Sequence, residues 1–218
     1  MNKINIAMDG PSGVGKSTIA DILAEKFNMI HLDTGAMYRC VALYLKENNV
    51  NYDNQEDLKE ALENISIQFI DGKTLLNDKD VTSQIRTNEI SMLTSKVSAI
   101  GMVRKKLVSL QQQTTKNKGF IVDGRDICTV VLPDAEVKIY MDASVKARAD
   151  RRYKEYIDSG VTVDYDTIYH DIEKRDYQDS HREISPLQKA KDAIVVDTSN
   201  LSIDEVVDEV MNIIKKIL

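Results

Sequence analysis

The chain has little cysteine, little proline and no long apolar run. Two cysteines, Cys40 and Cys128, stand in 218 residues, in no metal-like spacing, which excludes a disulfide framework and fits a reducing compartment. No stretch approaches the 18 or so apolar residues of a membrane span. The apolar run after Met1 is too short for a signal peptide, so the expected location is the cytoplasm. A basic excess is missing too: the net charge is −6, which argues against a nucleic-acid partner. No repeat or low-complexity tract stands out. The three histidines, His31, His170 and His181, have no ligand spacing and read as incidental. What remains is an ordinary globular composition, with 42% hydrophobic and 29% charged residues.

Against that acidic background positive charge is local, in Arg148, Arg151, Arg152, Arg175 and Arg182. Arginines gathered at a few places suit a small anionic ligand.

The pattern along the chain alternates strand and helix. Residues 3–8 are isoleucine-rich and stop at Gly10-Pro11. Ile19, Ile22, Leu23 and Phe27 follow at helical spacing, then Met29–Leu32 as a short apolar run closed by Asp33, then another helix through Val41, Leu43 and Leu45. Similar strands recur at 119–123, 137–141 and 193–197, and Ser202 caps a closing helix. The expected fold class is therefore α/β, a three-layer sandwich with a central parallel sheet flanked by helices. Residues 51–98 break the pattern. Ile65–Phe69, the turn Asp71-Gly72 and Leu75-Leu76 read as a hairpin in a small α+β insert of an otherwise single domain, 1–218.

Gly10-Pro11-Ser12-Gly13-Val14-Gly15-Lys16-Ser17 satisfies G-x-x-x-x-G-K-[ST] between a strand and a helix, the context that gives the motif meaning. Its glycines let backbone N–H groups curl around phosphates, Lys16 reaches the β- and γ-phosphates, and Ser17 ligates Mg²⁺ carried by nucleotide phosphates and water. Thr18 completes the cradle. Gly72-Lys73-Thr74 is a decoy: Ile67 stands where the first glycine belongs, and no helix pattern follows. A guanine-specific switch is disfavoured, because Asn117-Lys118-Gly119-Phe120 puts phenylalanine where a base-reading carboxylate is needed. A P-loop kinase for another acceptor, such as shikimate, remains a competing reading.

Four blocks carry a closer likeness: Asp9–Ser17, Leu32–Arg39 (Leu-Asp-Thr-Gly-Ala-Met-Tyr-Arg), Asp123-Gly124-Arg125-Asp126, and Arg175–Arg182 (Arg-Asp-Tyr-Gln-Asp-Ser-His-Arg). In this order and spacing the chain resembles the bacterial cytidylate kinases over essentially its full length. The resemblance implies phosphoryl transfer from ATP, with Mg²⁺, to CMP and dCMP, by a monomer that needs no nucleic acid or membrane. It places Thr34, Arg39, Ser95, Arg104, Asp123, Arg125, Asp126, Arg175, Asp179 and Arg182 around the acceptor. It also implies a helical lid over 144–165, with Arg148 and Arg152 joining Lys16 and Asp126 in catalysis. The bland alternative for Arg148, Arg151 and Arg152 is a solvated stripe partnered by Glu155; for Arg175 and Asp179 it is an i, i+4 salt bridge. Arg104 has an equally plain alternative as part of a solvated helix face. Cys128 departs from the family's usual glycine, which raises the question of a strained backbone there. The roles of Asp33 and Asp123, both closing strands, stay open between metal, sugar and arginine.

Overall fold

The computed structural model describes residues 3–70 and 72–217. The chain divides into two compact units, Met1–Leu32 with Thr114–Leu218, and Asp33–Gln113.

In the first unit lie β1 (Asn5–Asp9), α1 (Lys16–Phe27), β6 (Phe120–Gly124), β7 (Val137–Asp142), α6 (Val145–Asp158), α7 (Tyr165–His181), β8 (Ile194–Asp197) and α8 (Ile203–Ile217). With β2 (Ile30–Asp33) the strands form one sheet in the order β2-β6-β1-β7-β8. β1 pairs in parallel with β6 (Ile6 with Ile121, Met8 with Asp123) and with β7 (Met8 with Ile139). Parallel neighbours need crossovers, and the helices that supply them cover both faces. That is why every residue of β1 is buried and why the strand reads as an apolar run more than as a strict alternation. Ile6, Met8, Leu23, Ile121, Ile139, Met141, Val196, Val210 and Ile214 make one core. Each side chain of this kind contributes about 1.5–3 kcal/mol when fully buried.

Caps explain where the helices start. The Ser202 hydroxyl accepts from the Glu205 amide while the Glu205 carboxylate accepts from the Ser202 amide, a reciprocal pair that opens α8. Ser144 caps α6 and Asp164 caps α7. α7 ends earlier than the Ser185-Pro186 signal suggests: Arg182 is already extended, with φ −65° and ψ 144°. The expected single face of Arg175, Asp179 and Arg182 therefore holds only for the first two.

The second unit contains α2 (Thr34–Glu47), α3 (Gln55–Glu63), β3 (Ile67–Ile70), β4 (Lys73–Leu76), β5 (Lys79–Asp80), α4 (Asn88–Val97) and all but the end of α5 (Gly101–Thr115). The expected hairpin is present as β3–β4, Ile67 facing Leu76 and Ile70 facing Lys73. The decoy Lys73-Thr74 lies inside β4, hydrogen-bonded to Val81 and Thr82, and builds no anion cradle. Of the turn, Asp71 lies outside the described residues; Gly72 has φ +73°.

Candidate active site

The loop between β1 and α1 is held by backbone geometry that side chains would disrupt. At Gly10, φ is +151° and a Cβ would stand 2.0 Å from the Met141 carbonyl oxygen. Gly15 takes the left-handed N-cap position of α1 (φ 92°) with no side-chain cap, which leaves the helix's first N–H groups for an anion. Lys16 Nζ donates to the carbonyl oxygens of Gly10 (2.8 Å) and Pro11 (2.7 Å). Burial, joined by the charge of Arg125, lowers the Lys16 pKa to about 7. An anion brought against it restores the charged form.

The loop is tied from behind. Thr198 Oγ1 donates to the Val14 carbonyl (3.2 Å) and Arg148 Nη1 to the Ser12 carbonyl (3.1 Å). Arg148 is only 3% exposed. It also donates to the Ala143 carbonyl (3.0 Å) and forks onto Asp176 at 3.0 and 2.5 Å. The solvated stripe partnered by Glu155 is thus not what forms: Asp176, on α7, neutralises Arg148. Arg151 donates to Thr198. Arg152 places its guanidinium 5.9 Å from the centre of the Tyr156 ring.

Beside the loop, Asp123 closes β6. Its Oδ2 accepts from the Ser17 hydroxyl (2.8 Å) and its Oδ1 lies 2.9 Å from His31 Nε2. Burial would raise its pKa, but the His31 hydrogen bond and the charges of His31 and Lys16 hold it below the usual carboxylate value. His31 also meets Asp21 through Nδ1 (2.7 Å), so this histidine is part of the site's wiring and not incidental. Hard oxygen groups at Ser17 and Asp123 suit Mg²⁺, which keeps several waters and leans on substrate phosphates.

A third group follows the same strand. Arg125 Nε donates to Asp179 Oδ2 at 2.9 Å. Burial opposes charge on Asp179, yet Arg125, Arg175 and Arg182 keep its pKa low. Arg182 Nη2 stands 3.6 Å from Asp126 Oδ1, and its Nε donates to the Ser185 carbonyl. Arg125, Arg175 and Arg182 thus gather around Asp179 and Asp126. Asp179 is committed to Arg125, 54 residues away in the chain, which the i, i+4 alternative did not foresee.

Cys128 raises no strain. It is absent from the described residues with positive φ, and it lies in a single π-helical turn, Ile127–Val131, with its N–H donating to Asp9 Oδ2 (2.8 Å). Asp9 also accepts from Ile127 N–H. Burial still lifts its pKa to about 6.

In the second unit, Asp33 caps α2 by accepting from the Ala36 amide (2.9 Å) and stands 3.9 Å from Arg39 Nη1. Thr34 is buried at the start of α2. Arg104 is buried, its guanidinium 5.4 Å over the Tyr38 ring and Nη1 donating to the Ser98 carbonyl, so the solvated-face alternative fails for it. Ser95 lies on α4.

Sequence reasoning missed His31, Asp176, Asp9 and Thr198 as parts of the machinery. Asp9 had a usable signal, a carboxylate ending a buried strand just before the glycine loop. Asp176 had none: its partner lies 28 residues away.

A parallel sheet with the phosphate cradle at the end of its central strand, and arginines gathered on the neighbouring strand end, defines a P-loop kinase. The cytidylate kinase family model matches residues 6–216, and the chain belongs to that family. A cytidylate kinase from Fusobacterium nucleatum is 47% identical, covering 100% of both chains. One from Leuconostoc mesenteroides is 48% identical over 99% of this chain and 98% of that one. Solved structures add the fold alone. An uncharacterized protein from Eubacterium ventriosum superposes with TM-score 0.54 at 14% identity, covering 98% of this chain and 99% of that one. A shikimate kinase from Bacteroides thetaiotaomicron gives 0.50 at 9%, covering 97% and 98%.

Proposed function

We propose that the chain transfers the γ-phosphoryl group of ATP to CMP, and to dCMP, giving ADP and CDP or dCDP. Family membership supports the reaction. The observation that carries the choice of acceptor is the Arg125–Asp179 pair, set among Arg175, Arg182 and Asp126. Cytosine offers an amino donor beside two acceptors. An ionised Asp179 accepts from the amino group, and an arginine donates to the ring nitrogen and carbonyl. Uracil sets a carbonyl against that carboxylate.

Donor phosphates occupy the cradle of Gly10 to Thr18 and take over the Lys16 ammonium from the Gly10 and Pro11 carbonyls. Ser17, with phosphate and water oxygens, would hold Mg²⁺, and the ion would supply charge neutralisation for the moving phosphoryl group. Thr34, Arg39, Ser95, Arg104, Asp123, Arg125, Asp126, Arg175, Asp179 and Arg182 bind the acceptor, with Asp126 at the ribose. In the segment 144–165, which closes as a lid over the donor, Arg152 meets charge that develops in transfer, and Arg148 acts there while it shapes the loop through Ser12. The organisation is one kinase domain with a monophosphate-binding insert at 51–98. The protein works as a cytoplasmic monomer on free nucleotides, without nucleic acid or membrane. Its net charge of −6 supports that reading, and no helix among the described residues is long and apolar enough to cross a bilayer.

Coupled ADP release across CMP, dCMP, UMP, AMP, GMP and shikimate tests this. CMP and dCMP are expected to lead by at least about tenfold, the value of one mismatched buried polar contact. Equal turnover of UMP, or a preference for any other acceptor, overturns it.

A further inference from the structure

We propose that His31 is a positioning residue for phosphoryl transfer: its ring clamps the Asp123 carboxylate so that the Ser17 hydroxyl donates its proton inward and keeps its lone pairs for the metal carried by the donor. This rests on the kinase reading of the Ser17 site.

The geometry is a relay of short contacts. His31 lies on β2 with its side chain 11% exposed, Nδ1 2.7 Å from Asp21 Oδ1 and Nε2 2.9 Å from Asp123 Oδ1. An ionised carboxylate only accepts, so both contacts are hydrogen bonds only when both ring nitrogens carry protons. With Oδ1 of Asp123 committed to His31, its Oδ2 is presented to the Ser17 hydroxyl at 2.8 Å. A hydroxyl has one proton. Once that proton is given to Asp123, the oxygen's free electron pairs face elsewhere, and donation to a carboxylate makes the oxygen a stronger ligand.

Ser17 and Asp21 are four residues apart on α1, so they share a face. His31 therefore holds two points of that face, one directly through Asp21 and one through Asp123. Were His31 only filling space, neither ring nitrogen would need a carboxylate.

The test uses the full chain and reads Mg²⁺ dependence in two ways: turnover of ATP with CMP, and thermal stabilisation by ATP as Mg²⁺ is titrated. In His31→Leu the Mg²⁺ midpoint is expected to rise about tenfold or more in both, the usual effect of losing a partner behind a metal ligand. Stabilisation by ATP in EDTA is expected to stay within about twofold, since it does not involve the Ser17–metal contact. His31→Gln, whose amide nitrogen can still donate to Asp123, should recover most of the loss. Asp21→Asn, at a side chain 70% exposed, should fold normally and raise the midpoint about twofold, because a neutral acceptor still holds Nδ1 less tightly.

An unchanged midpoint in His31→Leu overturns the inference, and so does a glutamine variant as impaired as leucine. If the leucine variant does not fold, an unchanged midpoint in Asp21→Asn overturns it instead. A wild-type protein inactive on CMP would refute the acceptor reading, while the thermal Mg²⁺ midpoints would still decide the role of His31.

Discussion

At the scale of single residues, the buried charges make the sharpest statements. Lys16 is buried with its pKa lowered to about 7, so at neutral pH the unliganded fold carries it at a cost. Lys16→Met should abolish nearly all turnover, by about 10³-fold or more, because charge neutralisation is the main catalytic contribution in this reaction. Its melting temperature should nonetheless be no lower than that of the wild type, since an apolar side chain suits the site. Turnover together with a melting curve checks both halves, and a folded variant with near-normal turnover would contradict the first.

For the base, the proposed reader is Asp179. Asp179→Asn should reduce kcat/KM for CMP and shrink the CMP-over-UMP ratio by about tenfold, because asparagine can turn an N–H toward uracil's carbonyl. Total activity should fall as well, since Arg125 loses the carboxylate that holds its Nε. Measuring kcat/KM for both nucleotides in both proteins decides it. An unchanged ratio would mean that Asp179 only anchors Arg125.

At the scale of elements, α6 carries three arginines, and two of them, Arg148 and Arg152, separate by their attachments. Arg148 is enclosed by Asp176, Ser12 and Ala143. Arg152 rests near the Tyr156 ring. Arg148→Ala leaves Asp176 without its fork and should cost roughly 3 kcal/mol of stability, near the lower bound for breaking a buried pair because Asp176 is partly exposed. Arg152→Ala should leave the melting temperature within about 1 °C, as surface changes do, yet lower kcat by about 10²-fold with little change in CMP Kd. Urea titration and separate kcat and Kd measurements distinguish them. A pure loss of CMP affinity in Arg152→Ala would remove that residue from the transfer step.

The elements themselves were largely legible in sequence. β1 and β6 announce themselves as apolar runs that reach Asp9 and Asp123, because strands covered on both faces must be apolar throughout, and β7 as an alternation in which Val137, Ile139 and Met141 are the buried residues. The 65–76 hairpin declared itself by the turn glycine. The end of α7 did not: Ser185-Pro186 is a valid stop signal, but the helix frays four residues sooner, where Arg182 turns toward Asp126. Local propensity cannot register a contact made 56 residues away.

At the scale of the whole molecule, pH dependence sums opposing groups. His31 has its pKa raised from 6.5 to about 9. Its stabilisation is therefore fully present below about 6.5 and is lost as pH rises through about 9, and it amounts to roughly 3 kcal/mol. The stability gap between the wild type and His31→Leu should be widest near pH 6 and close by pH 10, read from melting curves across that range. A gap independent of pH would mean that the ring is held by packing alone.

The amino-acid sequence by itself determined the class of fold, the phosphate cradle and the family. These depend on local order: residues 10–17 are contiguous, and strand and helix periods repeat within a dozen residues. Only the tertiary structure decided how the charged groups pair. Asp179 took Arg125, Asp176 took Arg148, and His31 joined Asp21 to Asp123. Each choice is made among groups far apart in the chain, where burial strips away water and makes every buried charge depend on the partner that packing brings to it.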